Sequence, residues 1–313
     1  MPLHRGARWH YRGVIGAGRF APSPTGPLHV GSLVAALGSY LFARSSGRRF
    51  LVRIEDLDTP RVVPGAEREI LLALERYGLT WDGEVVRQSE RTFLYEEALA
   101  SLRARGLVFP CACSRAEIAR ASSAPTDRDP VDAEGPVYPG TCRPGLPEGR
   151  APRAIRFHVP PGVVAWEDAV FGPCEEETSR AVGDFVVKRA DGPFAYQLAV
   201  VVDDAVQGVT EVVRGADLLS STGRQILLQR ALGYATPAYA HLPLVIGKAG
   251  AKLGKRDGAL PLETLNEARV RETLTAALGI LGQEASEGSP SEVLAEAVRS
   301  FRPERIPRGP VSA

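Results

Sequence analysis

The sequence predicts an α/β fold built on a parallel sheet, and three observations carry that reading. An apolar run from Val14 to Phe20, a helical stretch closed by Gly47, and a second apolar run from Phe50 to Ile54 give the order strand, helix, strand. That order is the parallel unit of α/β sheets. The chain has 313 residues, enough for roughly two domains of about 150 residues each. Its 44% hydrophobic and 24% charged residues are the usage of ordinary globular proteins. Lys+Arg 38 against Asp+Glu 37 leaves a net charge of +1, so any nucleic-acid contact needs a local basic patch. The N-terminus lacks a continuous apolar segment, and eighteen consecutive apolar residues occur nowhere, which predicts a cytoplasmic protein without a membrane span.

Each element has its own signal along the chain. Residues 1–13 carry Arg5, Arg8 and Arg12 with Trp9 and Tyr11 and no clear period, and read as a flexible arm. Residues 14–106 form the first half of the main domain. There Ala21 to Pro27 is a turn rich in Pro and Gly, and Ser32 caps a helix carrying Leu33, Ala36, Leu37, Tyr40 and Leu41 at helical spacing. Glu67 to Tyr77 and Arg91 to Arg105 are amphipathic helices ended by Gly78 and Gly106. Residues 107–155 form an insertion, with Ser, Pro, Asp and Gly crowding Ala121 to Pro136 as a mobile loop. Residues 156–235 form the second half, preceded and opened by a strand from Ala154 to Val159. A strand at Phe185 to Val187 comes next, and then a β-rich run from Phe194 to Val213 broken by turns at Asp203-Asp204 and Gly208. Thr222 and Gln225 form a capping box for a helix closed by Gly233. Residues 236–313 hold a lysine-bearing loop, helices up to about Phe301, and a frayed tail of about a dozen residues.

Two stretches suit phosphate chemistry. The turn from Arg19 empties through His29-Val-Gly31-Ser32 into a helix N-terminus, where backbone N–H groups and the helix dipole favour an anion. Gly31 lets the backbone approach a ligand closely. About 220 residues later, Lys248, Lys252 and Lys255 sit among four glycines between Ile246 and Gly258. The chain has 34 Arg and only four Lys, so three lysines within eight residues mark a place where the compact ammonium itself is needed. Delivered by a glycine-rich loop, these ammoniums can neutralise charge on phosphate oxygens during a displacement.

Taken together, the motifs resemble the two signatures of class I aminoacyl-tRNA synthetases. His29-Val-Gly-Ser32 stands for "HIGH" and Lys252-Leu-Gly-Lys255-Arg256 for "KMSKS". Arg19-Phe-Ala-Pro-Ser-Pro-Thr-Gly, Arg53-Ile-Glu-Asp-Leu-Asp58 and Val213-Arg-Gly-Ala-Asp217 resemble the glutamate-specific members, and the similarity covers roughly residues 14 to 260. Only about 55 residues follow the lysine loop, which leaves no room for an anticodon-gripping domain. That architecture is similar to the glutamyl-Q tRNA(Asp) synthetases, which attach glutamate to the queuosine base in the anticodon loop of tRNA(Asp). The resemblance implies a Rossmann-like parallel sheet with a zinc-containing insertion and a short helical C-terminal part. It also implies a monomer that uses L-glutamate, ATP with Mg²⁺ and queuosine-bearing tRNA(Asp), and that activates glutamate without tRNA.

Site residues carry over by position. Arg19, Phe20, Ala21, Pro22, Ser23, Glu55, Tyr196 and Arg214 line the glutamate site, with Glu55 pairing the α-ammonium and an arginine pairing the side-chain carboxylate. His29, Gly31, Ser32 and Lys255 contact ATP, and His29, Lys252 and Lys255 are the catalytic set. The middle Ser of the second signature is Gly254 here, which removes a hydroxyl donor. Without the resemblance, Arg214 reads as a surface ion pair with Asp217 or Glu211, and Asp56 and Asp58 as part of a solvated charge cluster. Four cysteines are too few for a disulfide scaffold, and Cys111, Cys113 and Cys142 lie within 32 positions, which fits a metal or a reduced thiol cluster. By resemblance the fourth zinc ligand is Tyr138, with His158 and Cys174 as the open alternatives; Cys174 otherwise packs as a small apolar residue. Two other readings stand beside the main one: a truncated glutamyl-tRNA synthetase charging a 3′ end, and a catalytically silent tRNA-binding module.

Overall fold

The computed structural model describes residues 16–122, 137–247, 260–261 and 264–312. The expected N-terminal arm, most of the stretch 121–136, and Lys248, Lys252, Gly254 and Lys255 lie outside them. The strands are β1 (Ala17–Phe20), β2 (Arg49–Ile54), β3 (Val86–Arg87), β4 (Val108–Cys111), β5 (Ala154–Phe157), β6 (Val163–Asp168), β7 (Gly172–Glu177), β8 (Phe185–Lys188), β9 (Glu211–Gly215), β10 (Ala238–Leu242), β11 (Val245–Ile246) and β12 (Val311–Ser312). The helices are α1 (Val30–Ser45), α2 (Ala66–Arg76), α3 (Thr92–Ala104), α4 (Arg115–Ser122), α5 (Tyr196–Val206), α6 (Thr222–Leu232), α7 (Glu267–Ile280) and α8 (Pro290–Arg299). No helix among the described residues is long and apolar enough to cross a membrane.

Strands β1, β2 and β3 are parallel neighbours, with Phe20 opposite Val52 and Arg53 opposite Val86. Strands β9 and β10 are also parallel, with Arg214 opposite His241. A single parallel bridge from Ala17 to Val209, with Thr210 N–H donating to Ala17 O at 2.9 Å, joins the two groups. The parallel strands therefore run β3-β2-β1-β9-β10, and the β6–β7 hairpin extends them beyond β10. The chain leaves β1 for β2 on one side and leaves β9 for β10 on the other. Where two connections diverge in this way, a crevice opens at the carboxyl ends of the strands.

Strand alternation decides what fills each face. Phe50, Val52 and Ile54 of β2 share one core with Leu33, Leu37 and Leu41 of α1 and Leu274 and Leu278 of α7. Leu51 joins the opposite core with Leu99 of α3, Leu198 and Val202 of α5 and Leu228 of α6. Arg53 alternates with Ile54 and so lies on the second face, where Arg19, Arg214 and His241 also fall, between or beside Ala17, Val212 and Tyr239. One face thus carries cationic or titratable side chains across four adjacent strands beneath α5 and α6.

Four expectations need correction. The run from Phe194 to Val213 is helical over Tyr196–Val206: every residue from Gln197 to Asp204 is buried, so this stretch is enclosed on all sides and Val200, Val201 and Val202 pack tertiary neighbours, while Val206 at its end is exposed. The helix after the first turn begins at Val30, and its N-cap is His29, whose Nδ1 accepts the Ser32 N–H at 3.2 Å. Thr222 and Gln225 form no capping box at α6, because both side chains are engaged by Arg214. The C-terminal tail is not frayed throughout: Val311–Ser312 pairs in parallel with Val245–Ile246.

Candidate active site

The first turn is fixed by backbone bonds. Glu55 N–H donates to Pro22 O at 3.0 Å, and Val63 N–H to Pro24 O at 2.9 Å, so the Pro-rich segment is tied to the stretch just after β2. A neutral His29, accepting at Nδ1, carries its proton on Nε2. A Cβ on Gly31 would lie 3.2 Å from two atoms of the His29 ring, so glycine here leaves the imidazole its place. The first turn of α1 holds no acidic residue of its own. A cavity of about 340 Å³ opens there, lined by Ser23, His29, Gly31 and Ser32 and, from the strand end opposite, Pro243, Leu244 and Val245. Leu260 N–H donates to Leu28 O at 2.8 Å, so both described flanks of the lysine segment reach the wall that carries His29.

A second cavity, about 560 Å³, shares Phe20, Ala21, Ser23 and Gly215 with the first. It is lined by Arg19, Glu55, Tyr196 and Arg214. Arg19, 3% exposed, donates from Nε to Asp204 Oδ1 at 3.1 Å and from Nη1 to Val213 O at 3.3 Å. Arg53, fully buried, donates to Asp204 at 2.7 Å, to Gln207 Oε1 at 2.8 Å and to Glu55 at 3.1 Å. Burial opposes its charge, but Asp204, Glu55 and Asp203 outweigh that and hold its pKa above the ordinary value. Burial pushes the Glu55 carboxyl up, against the pull of Arg53 and Arg19. Asp203, beside Asp204 on α5, accepts from Gln88 at 2.9 Å, Arg91 at 2.6 Å and Tyr95 at 2.7 Å, tying α5 to α3 and the segment before it.

Arg214 is not the surface ion pair that its charge alone suggests. It is 6% exposed and held by neutral acceptors: His241 Nε2 at 3.0 Å, Gln225 Oε1 at 2.7 Å and Thr222 Oγ1 at 2.9 Å, with Tyr196 Oη at 3.5 Å. Glu211 pairs instead with Arg48 at 3.3 Å. Asp58 lies 3.5 Å from Arg189, while Asp56 accepts from the N–H and hydroxyl of Ser89.

The chain matches the family described as tRNA synthetases class I (E and Q), catalytic domain, over residues 17–304. It belongs to that family. Among curated relatives it is 57% identical over 297 residues to the glutamyl-Q tRNA(Asp) synthetase of Geobacter sulfurreducens, covering 93% of each chain. It is 51% identical over 301 residues to that of Thiobacillus denitrificans, covering 95% of this chain and 96% of the relative. Among solved structures, a glutamate tRNA ligase from Elizabethkingia meningosepticum in complex with its amino acid matches with a TM-score of 0.77 and 28% identity, covering 96% of this chain and 67% of that one. A class I synthetase is a ligase, which agrees with the enzyme reading of the sequence.

Within this synthetase fold, the thiol cluster is a separate centre. Cys111, Cys113 and Cys142 place their Sγ atoms within 4.8 Å of one another, with Cys113 and Cys142 3.7 Å apart. Tyr138 Oη lies 3.5 Å from Cys111 Sγ and 3.6 Å from Cys113 Sγ, and accepts the Cys142 N–H at 2.8 Å. Four ligands around a tetrahedral zinc at about 2.3 Å would stand about 3.8 Å apart, so this donor set is compatible with the metal. Of the alternative ligands, Cys174 lies on β7 with its Sγ donating to Gly172 O, and His158 packs against Phe109. Neither belongs to the cluster among the described residues.

Sequence reading missed Arg53, Asp203, Asp204 and His241 as parts of the network around the site. The available signal was charge inside apolar runs: Arg53 interrupts Phe-Leu-Val-Arg-Ile, and Asp203-Asp204 follows Leu-Ala-Val-Val-Val. A buried charge needs a buried partner.

Proposed function

We propose that this synthetase activates L-glutamate with ATP and transfers it to the queuosine base in the anticodon loop of tRNA(Asp). The observation that carries the reading is the shared wall of the two cavities, one lined by Arg19, Glu55, Tyr196 and Arg214, the other by His29 and the first turn of α1. The names of the relatives point the same way.

In this mechanism the α-carboxylate oxygen of glutamate attacks the α-phosphorus of ATP and the bond to the bridging oxygen breaks, leaving glutamyl-adenylate and pyrophosphate. Glu55 takes the α-ammonium and an arginine the side-chain carboxylate, which fixes the nucleophile near phosphorus. His29 Nε2–H and the N–H groups of α1 stabilise the transferring phosphate. Lys252 and Lys255 meet the pyrophosphate, and Mg²⁺ brought with ATP would supply further neutralisation of the phosphate charge. Gly254, where the signature has Ser, offers no hydroxyl to the phosphates. A hydroxyl of the queuosine cyclopentenediol then attacks the activated carbonyl, AMP leaves, and an ester forms. The reading includes a structural zinc on Cys111, Cys113, Tyr138 and Cys142; such an ion cross-links the insertion and takes no part in adenylation. It also has the enzyme act as a cytoplasmic monomer whose adenylation step does not need tRNA.

The test is transfer of labelled glutamate to tRNA(Asp) with and without queuosine, mapped to a nucleotide. Label at the anticodon-loop queuosine, and only there, is the expected result. Label on a 3′ end lost when the terminal adenosine is removed would instead assign a truncated glutamyl-tRNA synthetase. Absence of both labelling and glutamate-dependent ATP–pyrophosphate exchange would leave an RNA-binding module.

A further inference from the structure

On the face that carries Arg19, Arg53 and Arg214, the three guanidiniums are treated differently. Arg19 and Arg53 each have carboxylate partners inside the protein, in Asp204 and Glu55. Arg214 has three close neutral acceptors, with Tyr196 Oη further off at 3.5 Å, and, among the described residues, no carboxylate within ion-pairing distance. Two of these acceptors are unambiguous in polarity. Gln225 offers Oε1 because its amide nitrogen donates to Gln197 Oε1 at 3.0 Å, and the Thr222 oxygen accepts from Arg214 Nη2. The third, His241, is an acceptor only in one tautomer.

Asp168 selects that tautomer. His241 and Arg214 are register partners on adjacent strands, and on the far side of the imidazole Asp168 Oδ2 lies 2.6 Å from Nδ1. The other Asp168 oxygen accepts the N–H groups of Val170 and Phe171 at 3.0 Å and of His241 at 3.2 Å. The carboxylate is therefore itself fixed by the turn between β6 and β7, and both its side chain and the imidazole are fully buried. With the proton on Nδ1, Nε2 presents its lone pair to Arg214 Nε–H and, at 3.3 Å, to the Thr222 hydroxyl. With the proton on Nε2, two N–H groups would face each other in a fully buried site.

We infer that Asp168 and His241 are positioning residues: they hold the imidazole as a neutral acceptor, so that Arg214 is oriented without being neutralised and keeps its charge for a substrate carboxylate. The inference rests on the glutamate reading of the cavity. Asp168→Asn is isosteric and keeps an oxygen for the turn, but its amide donates to Nδ1 and moves the imidazole proton to Nε2. Gln225→Glu is also isosteric and gives Arg214 an internal carboxylate. His241→Gln retains an oxygen near the position of Nε2, whereas His241→Phe retains none.

The experiment measures glutamate-dependent ATP–pyrophosphate exchange on the full chain, with KM determined separately for glutamate and ATP. Asp168→Asn and Gln225→Glu are each expected to raise the KM for glutamate about tenfold or more and to leave the KM for ATP within about twofold. This corresponds to a loss of about 1.4 kcal/mol or more. His241→Gln is expected to recover much of what His241→Phe loses. A glutamate KM within about twofold of wild type in both isosteric variants, or glutamate and ATP constants that rise together, would overturn the inference while wild-type exchange stands. A wild-type chain with no glutamate-dependent exchange would overturn the functional reading, and this inference with it.

Discussion

The two halves of the cavity are built on opposite plans. On the amino-acid side the charges are buried and tied down: Asp204 is shared by Arg19 and Arg53, and Arg53 in turn holds Glu55. On the side proposed for phosphate, the wall carries a capping imidazole and the first turn of α1, which has no acidic residue of its own, and the lysines belong to a glycine-rich segment. Reading a small cargo that differs from its competitors by one charged group calls for fixed dipoles, because a mobile cation would accommodate either. Meeting charge that develops on a departing group calls for cations that arrive with it.

The contrast can be broken most severely at the lysine segment. Lys255→Ala is expected to abolish glutamate-dependent ATP–pyrophosphate exchange without lowering the melting temperature; retained exchange would remove Lys255 from the phosphate half. On the opposite side, Asp204→Asn leaves two buried guanidiniums short of their common partner. It is expected to cost about 3–5 kcal/mol, read as a lower denaturant midpoint, and an unchanged midpoint would mean that the buried network is dispensable. Chelation sharpens the comparison by perturbing neither half. It is expected to speed proteolysis between Cys111 and Cys142 and to weaken RNA transfer while adenylation persists. A protease pattern and transfer rate indifferent to chelation would count against the zinc. The smallest effect is on pH. In the proposed function an ionised Glu55 pairs the α-ammonium, and burial raises its pKa, so glutamate affinity should fall as acidification begins to protonate Glu55. That fall should start at a higher pH than an ordinary carboxylate would give, and disappear in Glu55→Gln. A pH-independent glutamate KM in the wild type would contradict the role.

The turn before α1 was legible in the sequence because its signal is local, a Pro- and Gly-rich run in consecutive residues, although the cap proved to be His29 and not Ser32. The strands on both sides of α1 were legible for the same reason. The amino-acid half was legible in its members and not in its wiring. Arg214 looked like a surface charge because its three acceptors come from α6 and β10, and Thr222 and Gln225 had a local role as helix caps that the folded chain does not use. Helix α5 was hidden by its valines, since propensity favours strand and only enclosure by both neighbouring layers makes an apolar surround favourable for the helix. Asp203 and Asp204 read as a turn for want of knowledge that Arg53 and Arg19 lie opposite.

The short parallel pairing of Val311–Ser312 with Val245–Ile246 places the final stretch of polypeptide against the strand that runs directly into the lysine segment. A substitution at Val311 or Ser312 therefore acts on Val245–Ile246, far upstream in the sequence and directly before the lysine segment.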